Sequence, residues 1–555
     1  MRNQRIILSL CVVLLVTSFS LLPCIENDFT NWDDDLHVTT NTSIKSLSLN
    51  NIKRMFTSFY AVNYMPLTIL SYTIEYRFFK LNPHAYHTTN LLLHLFNCML
   101  VFWLIYLLSG KELIGFIVAL LFGIHPLHVE SVAWISERKD VLYSAFFLGA
   151  LISYLYYLKK NTSAWYYCLS IFLFILSLLS KAMAMTLPFV LPLFDYISYR
   201  KFTKNILLKK IPFFIAAALF GIIAIFTQPF RQEITYTIFD RILFASYGVL
   251  FYINKLILPI KLSCFYPYPE KVDGTFSPLF LFSPLLLAAL IGTVFFLLRR
   301  RRKIIFGSIF FLITILPVLQ LLPIGWAIAA DRYTYIPSIG IFYIAGEGCY
   351  WLYKKKIQDY KTLKGIFSFI LIVIIIMLSY STFHRCQVWK DGVTLWSDVI
   401  KNYPTTAMAY NNRGSAYLNQ GEFGKAISDY GHALKINPNH LIAFDNLLRA
   451  YWTMGMKNEA KTLYKKATET NPNYEGAYNN LGNVYWKIGK KDDAIALYKM
   501  VIEINPNNAE AHKSLALAYY YKREYSLAVY HLNRAIELGY KVNPEFLELL
   551  RPYRK

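Results

Sequence analysis

Residues 1–383 carry apolar runs of membrane length separated by short polar stretches, whereas residues 384–555 are polar, periodic and free of any run long enough to span a bilayer. The runs predict spanning helices at approximately 6–24, 90–108, 111–127, 141–158, 165–180, 185–199, 211–227, 279–298, 304–322, 333–350 and 365–383. Several are near the short end of what a hydrocarbon layer of ~30 Å requires. Ile6 to Pro23 follow Arg2 and Arg5 in the manner of a secretory leader. The apolar stretch is long and no small-x-small site follows it, so it is read as an uncleaved first helix.

Two further segments, 66–80 and 240–260, are apolar but contain Glu75, Arg77 or Lys255. If neither crosses, Lys159-Lys160, Arg200 to Lys210, Arg299 to Lys303 and Lys354 to Lys356 all fall on the side of Arg2 and Arg5, as the positive-inside rule requires. Both are therefore expected to be interfacial or re-entrant helices on the outer face. The loop 25–89, His125 to His128, Lys181, Asp331-Arg332 and the polar tail then share the non-cytoplasmic side.

The tail repeats. Pro404, Pro438, Pro472 and Pro506 recur every 34 residues, as do Ala426, Ala460, Ala494 and Ala528, and Tyr417, Tyr451, Tyr485 and Tyr519. Small residues where two helices cross, aromatics between them and a proline at the turn are the tetratricopeptide pattern. Four repeats fit residues 407–542, followed by a C-terminal cap at 543–555. A half-repeat connector at 384–406, with Trp396 in the large-residue position, precedes them. Asn412, Asn446 and Asn480 recur at one position of the first helix. Each amide offers a donor and an acceptor, so the row is a candidate for binding an extended acceptor peptide; the alternative is that the amides bond neighbouring helices.

Composition supports a membrane protein: of 555 residues, 55% are apolar and 17% aromatic. The net charge of +23 divides into +16 for residues 1–383 and +7 for the rest. Because much of the first share sits in short clusters between apolar runs, orientation in the membrane explains it better than nucleic acid does. The seven cysteines show no CxxC pair or metal-ligand spacing; Cys24, Cys264 and Cys386 are the ones that could face an oxidising side, where two could bridge.

The chemistry-bearing residues lie between the runs. Asp33, Asp34 and Asp35 follow Trp32 just beyond the first run, where a membrane enzyme would place a general base. After the third run, the stretch from His125 to Asp140 holds His125, His128, Glu130, Glu137, Arg138, Lys139 and Asp140. Titratable groups at a membrane rim are costly unless paired or used. One reading is an ion-paired cap on two helices; the other adds Lys181, Asp331 and Arg332 to make a cationic pocket for a phosphate. His125, His128 and Glu130 also permit a divalent-metal site to be drawn, without an HExxH spacing.

At these residues the chain resembles bacterial relatives of the transmembrane and tetratricopeptide-repeat O-mannosyltransferases, within the GT-C glycosyltransferase superfamily. The carriers are Asn31-Trp32-Asp33-Asp34, Met65-Pro66-Leu67, His94, His125 to Asp140, Ser180-Lys181 with Thr186-Leu187-Pro188, Asp331-Arg332-Tyr333 with Tyr335-Ile336-Pro337, and the repeats. The resemblance implies an all-α protein: a polytopic GT-C-type membrane domain followed by a repeat solenoid. It implies inverting transfer of a sugar, typically mannose, from a polyprenyl-phosphate carrier to Ser or Thr hydroxyls of a protein. Asp33 would act as base and Asp34 would orient or assist. Arg138, Lys181 and Arg332 would meet the phosphate, with His128 and Glu130 behind them or on the sugar. A non-catalytic membrane scaffold built on the repeats is the competing expectation. A transporter is disfavoured because the acids cluster at one face rather than at the midplane.

Overall fold

The computed structural model describes the chain except residues 1, 61–62, 160–162, 199–202, 228–235, 299–300, 322–324, 357–359, 471–475, 541–542 and 554–555. The lysine and arginine clusters expected at 159–160, 200–210 and 299–303 thus lie in part outside the described residues. Among those described the architecture is all-α, with isolated bridges in place of strands. It divides after Asn402 into two compact units.

Among the described residues of the first unit, five helices are long and apolar enough to cross a membrane: Asn3–Glu26, Pro83–Ser109, Ile135–Lys159, Ile206–Phe226 and Thr362–Val388. The unit is a multi-pass membrane body. Large apolar side chains such as Leu15, Phe226, Phe369 and Ile376 stand exposed on these helices, which suits lipid rather than water. Other expected spans are interrupted. Glu112–Ile124 and Pro126–Ala133 meet at a 54° bend, because Pro126 removes a backbone donor and disfavours helix at His125. Lys181 separates Ala164–Ser180 from the next short helical stretch, and the run expected at 304–322 ends as a regular helix at Ile315, just before Pro317.

Local sequence explains several boundaries. Asn82 accepts from the backbone of His84 and Pro83 follows it, starting the helix Pro83–Ser109, which stops at Gly110 with φ of 69°. Thr237 and Asp240 form a reciprocal capping box on Ile238–Ile257. The helices Arg302–Ile315 and Ser338–Trp351 approach so closely that a Cβ on Gly307 would lie 2.5 Å from the Gly340 carbonyl oxygen. Small residues at such crossings are how membrane helices gain contact without a hydrophobic drive.

The segments expected at 66–80 and 240–260 are the helices Pro66–Phe79 and Ile238–Ile257. Both touch polar turns. Thr68 donates to the Ser180 carbonyl at 3.0 Å and Tyr72 to that of Ile135 at 2.7 Å. Tyr252 Oη accepts from the backbone of Ala330 at 3.2 Å.

The second unit is a tetratricopeptide solenoid of paired helices, from Ala407–Asn419 with Phe423–Ile436 to Ala509–Tyr521 with Tyr525–Glu537. Ala426, Ala460, Ala494 and Ala528 are all fully buried, as the 34-residue spacing requires. Within each pair the turn needs a positive φ, supplied by Gly421, Gly455 and Gly489; the fourth turn places Arg523 there at 64°. The half repeat is the helix Gly392–Asn402, and it belongs to the membrane body, where Trp396 is buried.

Candidate active site

The stretch after the first helix is tied down along its length. Asn27 Nδ2 donates to the Cys386 carbonyl at 3.1 Å, the Asp28 amide to that of Lys390 at 2.8 Å, and Trp396 Nε1 to Asn31 Oδ1 at 3.2 Å. Trp32 is wedged among Trp396, Trp134 and Phe265, with ring centroids 4.7, 6.0 and 6.1 Å away. Two residues on, Asp34 is buried and accepts four hydrogen bonds: Thr30 N and Oγ1 at 2.8 and 2.9 Å, Ser136 N and Oγ at 2.9 and 2.6 Å. Both oxygens of Asp34 are thus engaged, and the carboxylate acts as a clip between the loop and the start of the helix Arg138–Lys159.

Asp33 lies between these two anchors. Its φ is 151°, a region that L residues rarely adopt and that costs on the order of 1–3 kcal/mol unless neighbours enforce it. Trp32 on one side and Asp34 on the other supply that enforcement. Burial pushes the Asp33 carboxyl up to about 6; Lys139 and Arg332 pull it down, while Glu137 and Asp34 push it up. Burial also raises Asp34, against the four hydrogen bonds that favour its charged form. Asp35 is exposed and accepts from the amide of Leu36 at 3.0 Å.

Around Asp33 stands a lattice of shared ion pairs. Glu137 meets Lys139 at 3.1 Å, Lys181 at 3.1 Å and Arg332 Nε at 3.2 Å. Lys181 also meets Asp140 at 2.5 Å, and Arg332 meets Glu130 at 2.5 Å while its backbone amide donates to the same carboxylate at 3.0 Å. The acids lie beneath the bases. Side chains of Glu130, Glu137 and Asp140 are 1–2% exposed, whereas those of Lys139, Lys181 and Arg332 are 11–16% exposed. Trp134 lies under two of the cations, with Arg332 5.2 Å and Lys139 5.8 Å from its ring. Lys139 and Lys181 also line a small cleft of about 70 Å³ whose other walls include Tyr64, Met65, Phe220 and Ile223.

The structure therefore brings together Asp33, Asp34, Glu130, Lys139, Asp140, Lys181 and Arg332. Others are placed elsewhere. Arg138 is fully buried, paired with Glu75, bonded to Asn90 Oδ1 at 2.8 Å and the Tyr86 carbonyl at 2.9 Å, and stacked on Tyr72. With no exposed surface it is a structural ion pair rather than a phosphate ligand. His125 and His128 turn to the backbone carbonyls of Leu256 and Phe122, at 3.2 and 2.7 Å. With Glu130 held by Arg332, these three do not form the metal site that can be drawn from their spacing. Among the described residues no group of three or more His, Cys, Asp and Glu side chains converges. Asp331 accepts from Tyr266 at 2.7 Å and burial pushes it up to about 7, so it buttresses the Arg332 turn.

Sequence reading did not single out Ser136, Thr30 or His37. His37 is buried, has no hydrogen-bond partner on either ring nitrogen, and is lowered to about 3 by burial and then by Lys139, so it is neutral. Ser136 carries no spacing signal because its partner Asp34 lies 102 residues away. In the repeats, Asn446 donates to Asn411 Oδ1 at 3.0 Å and to Ser415 at 3.4 Å, and Asn411 donates to Asn412 at 2.9 Å. Asn446 thus bonds the neighbouring helix Ala407–Asn419, whereas Asn412 is joined to Asn411 of its own helix. The side chain of Asn480 lies outside the described residues.

Comparison with known proteins gives two results. The tetratricopeptide repeat family matches residues 407–440 and 476–508, and a related TPR repeat family matches 457–489. Over most of its length the chain is similar to Protein O-mannosyl-transferase F38B6.6 of Caenorhabditis elegans, with 26% identity over 77% of this chain and 63% of that one. It is similar to Protein O-mannosyl-transferase TMTC3 of Homo sapiens, with 24% identity over 68% of this chain and 45% of that one. The Drosophila melanogaster Tmtc3 is 24% identical over 78% of this chain and 55% of its own length. The resemblance read from the sequence is borne out, and the chain matches between about half and somewhat under two thirds of these relatives' lengths.

Proposed function

We propose, on the premise of similarity to protein O-mannosyl-transferases, that this chain is an inverting GT-C-type membrane glycosyltransferase. It would transfer a sugar, mannose by analogy, from a polyprenyl-phosphate donor to Ser or Thr hydroxyls of a protein, on the non-cytoplasmic face. The observation that carries the reading is Asp33: a strained, partly buried carboxyl held near 6 beside Lys139, which also lines the cleft.

A hydroxyl nucleophile needs a base poised near neutral pH. Asp33 takes the hydroxyl proton as the oxygen bonds to the anomeric carbon, and the bond from that carbon to the phosphate oxygen breaks on the opposite face. The charge released on the lipid phosphate is met by Lys139, Lys181 and Arg332, already oriented by the acids beneath them. Their ammonium and guanidinium groups need no reorganisation, only exchange of partners. Tyr64, Met65, Phe220 and Ile223 give the cleft an apolar wall suited to the isoprenoid chain. Asp34 positions Asp33 rather than sharing its chemistry. The repeats are assigned to the acceptor polypeptide.

The proposed non-cytoplasmic placement is supported by the charges at the other pole of the body. Lys159 donates to the Leu107 carbonyl at 2.5 Å, at the far ends of two helices that start beside the site. Lys209, Lys210 and Lys303 belong to the same pole as Lys159, a basic pole that the positive-inside rule assigns to the cytoplasm.

The test is Asp33→Asn in the full-length chain, assayed in membranes with polyprenyl-phosphate mannose and a Ser/Thr-rich polypeptide. Asparagine matches aspartate in size and shape, so the loop's packing is kept. Transfer falls at least ~100-fold with insertion unaltered. Normal transfer would refute the assignment, and a scaffold without chemistry would show no turnover in either form.

A further inference from the structure

The first and last long helices of the membrane body end together, and each brings a thiol to the meeting point. Cys24 and Cys386 are both fully buried and both free. The two thiols are neighbours. Backbone and side-chain geometry brings them together independently. Cys386 Sγ sits 3.9 Å from the Ser20 carbonyl, one turn before Cys24, and Asn27 bonds both cysteine carbonyls, that of Cys24 through its amide at 3.3 Å and that of Cys386 through Nδ2 at 3.1 Å. One turn earlier in each helix Phe19 stacks on Phe383 with centroids 6.0 Å apart.

We infer that Cys24 and Cys386 form a disulfide in the mature protein, a covalent tie between the helix that leads into the Asp33 loop and the helix that leads into Trp396. The inference rests on the non-cytoplasmic placement proposed above, because disulfides persist in oxidising compartments. The chemistry needs an oxidant, a disulfide-bearing thiol oxidoreductase of that compartment. One cysteine thiolate attacks the oxidant's disulfide, the second displaces the oxidant from the mixed disulfide, and the oxidant leaves as a dithiol carrying the two electrons and two protons. Since both sulfurs are enclosed in the folded body, the exchange takes place as the last helix docks against the first.

The consequence is local. The bridge sits directly below the three tethers of the loop, Asn27 to Cys386, Asp28 to Lys390 and Asn31 to Trp396, and holds them in register with the aromatic wedge around Trp32.

The experiment uses the full chain in membranes, acid-quenched, denatured in detergent and treated with a maleimide polymer before and after reduction. Five of the seven cysteines react before reduction and all seven after it, and a non-reduced digest yields a peptide pair joining Cys24 to Cys386. Seven reactive thiols before reduction, or a bridge to any other cysteine, would overturn the inference. A second measurement separates its failure from that of the topology: Leu36→Cys, on an exposed loop position, is probed with a membrane-impermeant thiol reagent. Labelling only after permeabilisation overturns the non-cytoplasmic placement and the bridge with it. Labelling from outside together with seven free native thiols overturns the bridge alone.

Discussion

The two poles of the membrane body handle charge in opposite ways. At the pole carrying Asp33, charges are linked in a lattice: Glu137 meets three cations, and Lys181 and Arg332 each meet two acids. At the other, ion pairs are one to one: Lys210 with Asp195 at 2.5 Å and Lys303 with Glu347 at 2.6 Å. A one-to-one pair neutralises a charge and anchors a helix end. A shared lattice with buried acids and outward bases does something else: it holds cations ready for an anion that can enter from outside. On the proposed function, the pole of one-to-one pairs serves orientation and the pole carrying Asp33 serves chemistry.

Substitutions can break this contrast, and their effects are graded. Asp33→Asn has the largest, the loss of at least ~100-fold in transfer. Because burial raises the Asp33 carboxyl, its ionised form costs stability as pH rises from the ordinary carboxylate range through about 6. The same variant therefore melts higher than the parent at neutral pH, a pairing of lost rate with gained stability that a structural carboxylate would not give.

Glu137→Gln removes the acid common to Lys139, Lys181 and Arg332. Breaking a buried pair from one side costs about 3–5 kcal/mol, so thermal unfolding in detergent shifts down and transfer falls with it. Ser136→Ala strips Asp34 of one buried hydrogen bond of 2.6 Å and loosens the clip that sets Asp33. The expected cost is about 1–3 kcal/mol, read as a lower kcat with donor KM little changed. Lys303→Ala, at the opposite pole and 42% exposed, costs under about 1 kcal/mol and leaves transfer unaltered. Equal losses from Lys303→Ala and Glu137→Gln would erase the distinction between the poles.

Much of this was legible in the sequence. Proline, alanine and tyrosine at a 34-residue spacing place the repeats because each repeat is a local unit whose contacts lie with its neighbours. The polar turns around Asp33, Glu130, Lys181 and Arg332 were expected on one face from the charge clusters alone, and the ion pairs unite them. What the sequence could not disclose is which charge takes which partner. Arg138 and Lys139 are adjacent, yet the first turns inward to Glu75 and the second outward to the cleft. A helix start sends consecutive side chains in different directions, and only the packing of the helix Pro66–Phe79 decides which is enclosed. Asp33 and Asp34 divide in the same way: Ser136, 102 residues away, claims the second and leaves the first free to act.

The central claim is that Asp33 is the base and that its surroundings hold it near neutrality. The most direct measurement is the pH dependence of kcat/KM for sugar transfer by the full-length chain in membranes. The account predicts a rise through about 6 to a plateau, and loss of that titration in the residual transfer by Asp33→Asn. A profile that stays flat through that range in the parent chain, or one that keeps the same inflection in Asp33→Asn, would contradict it.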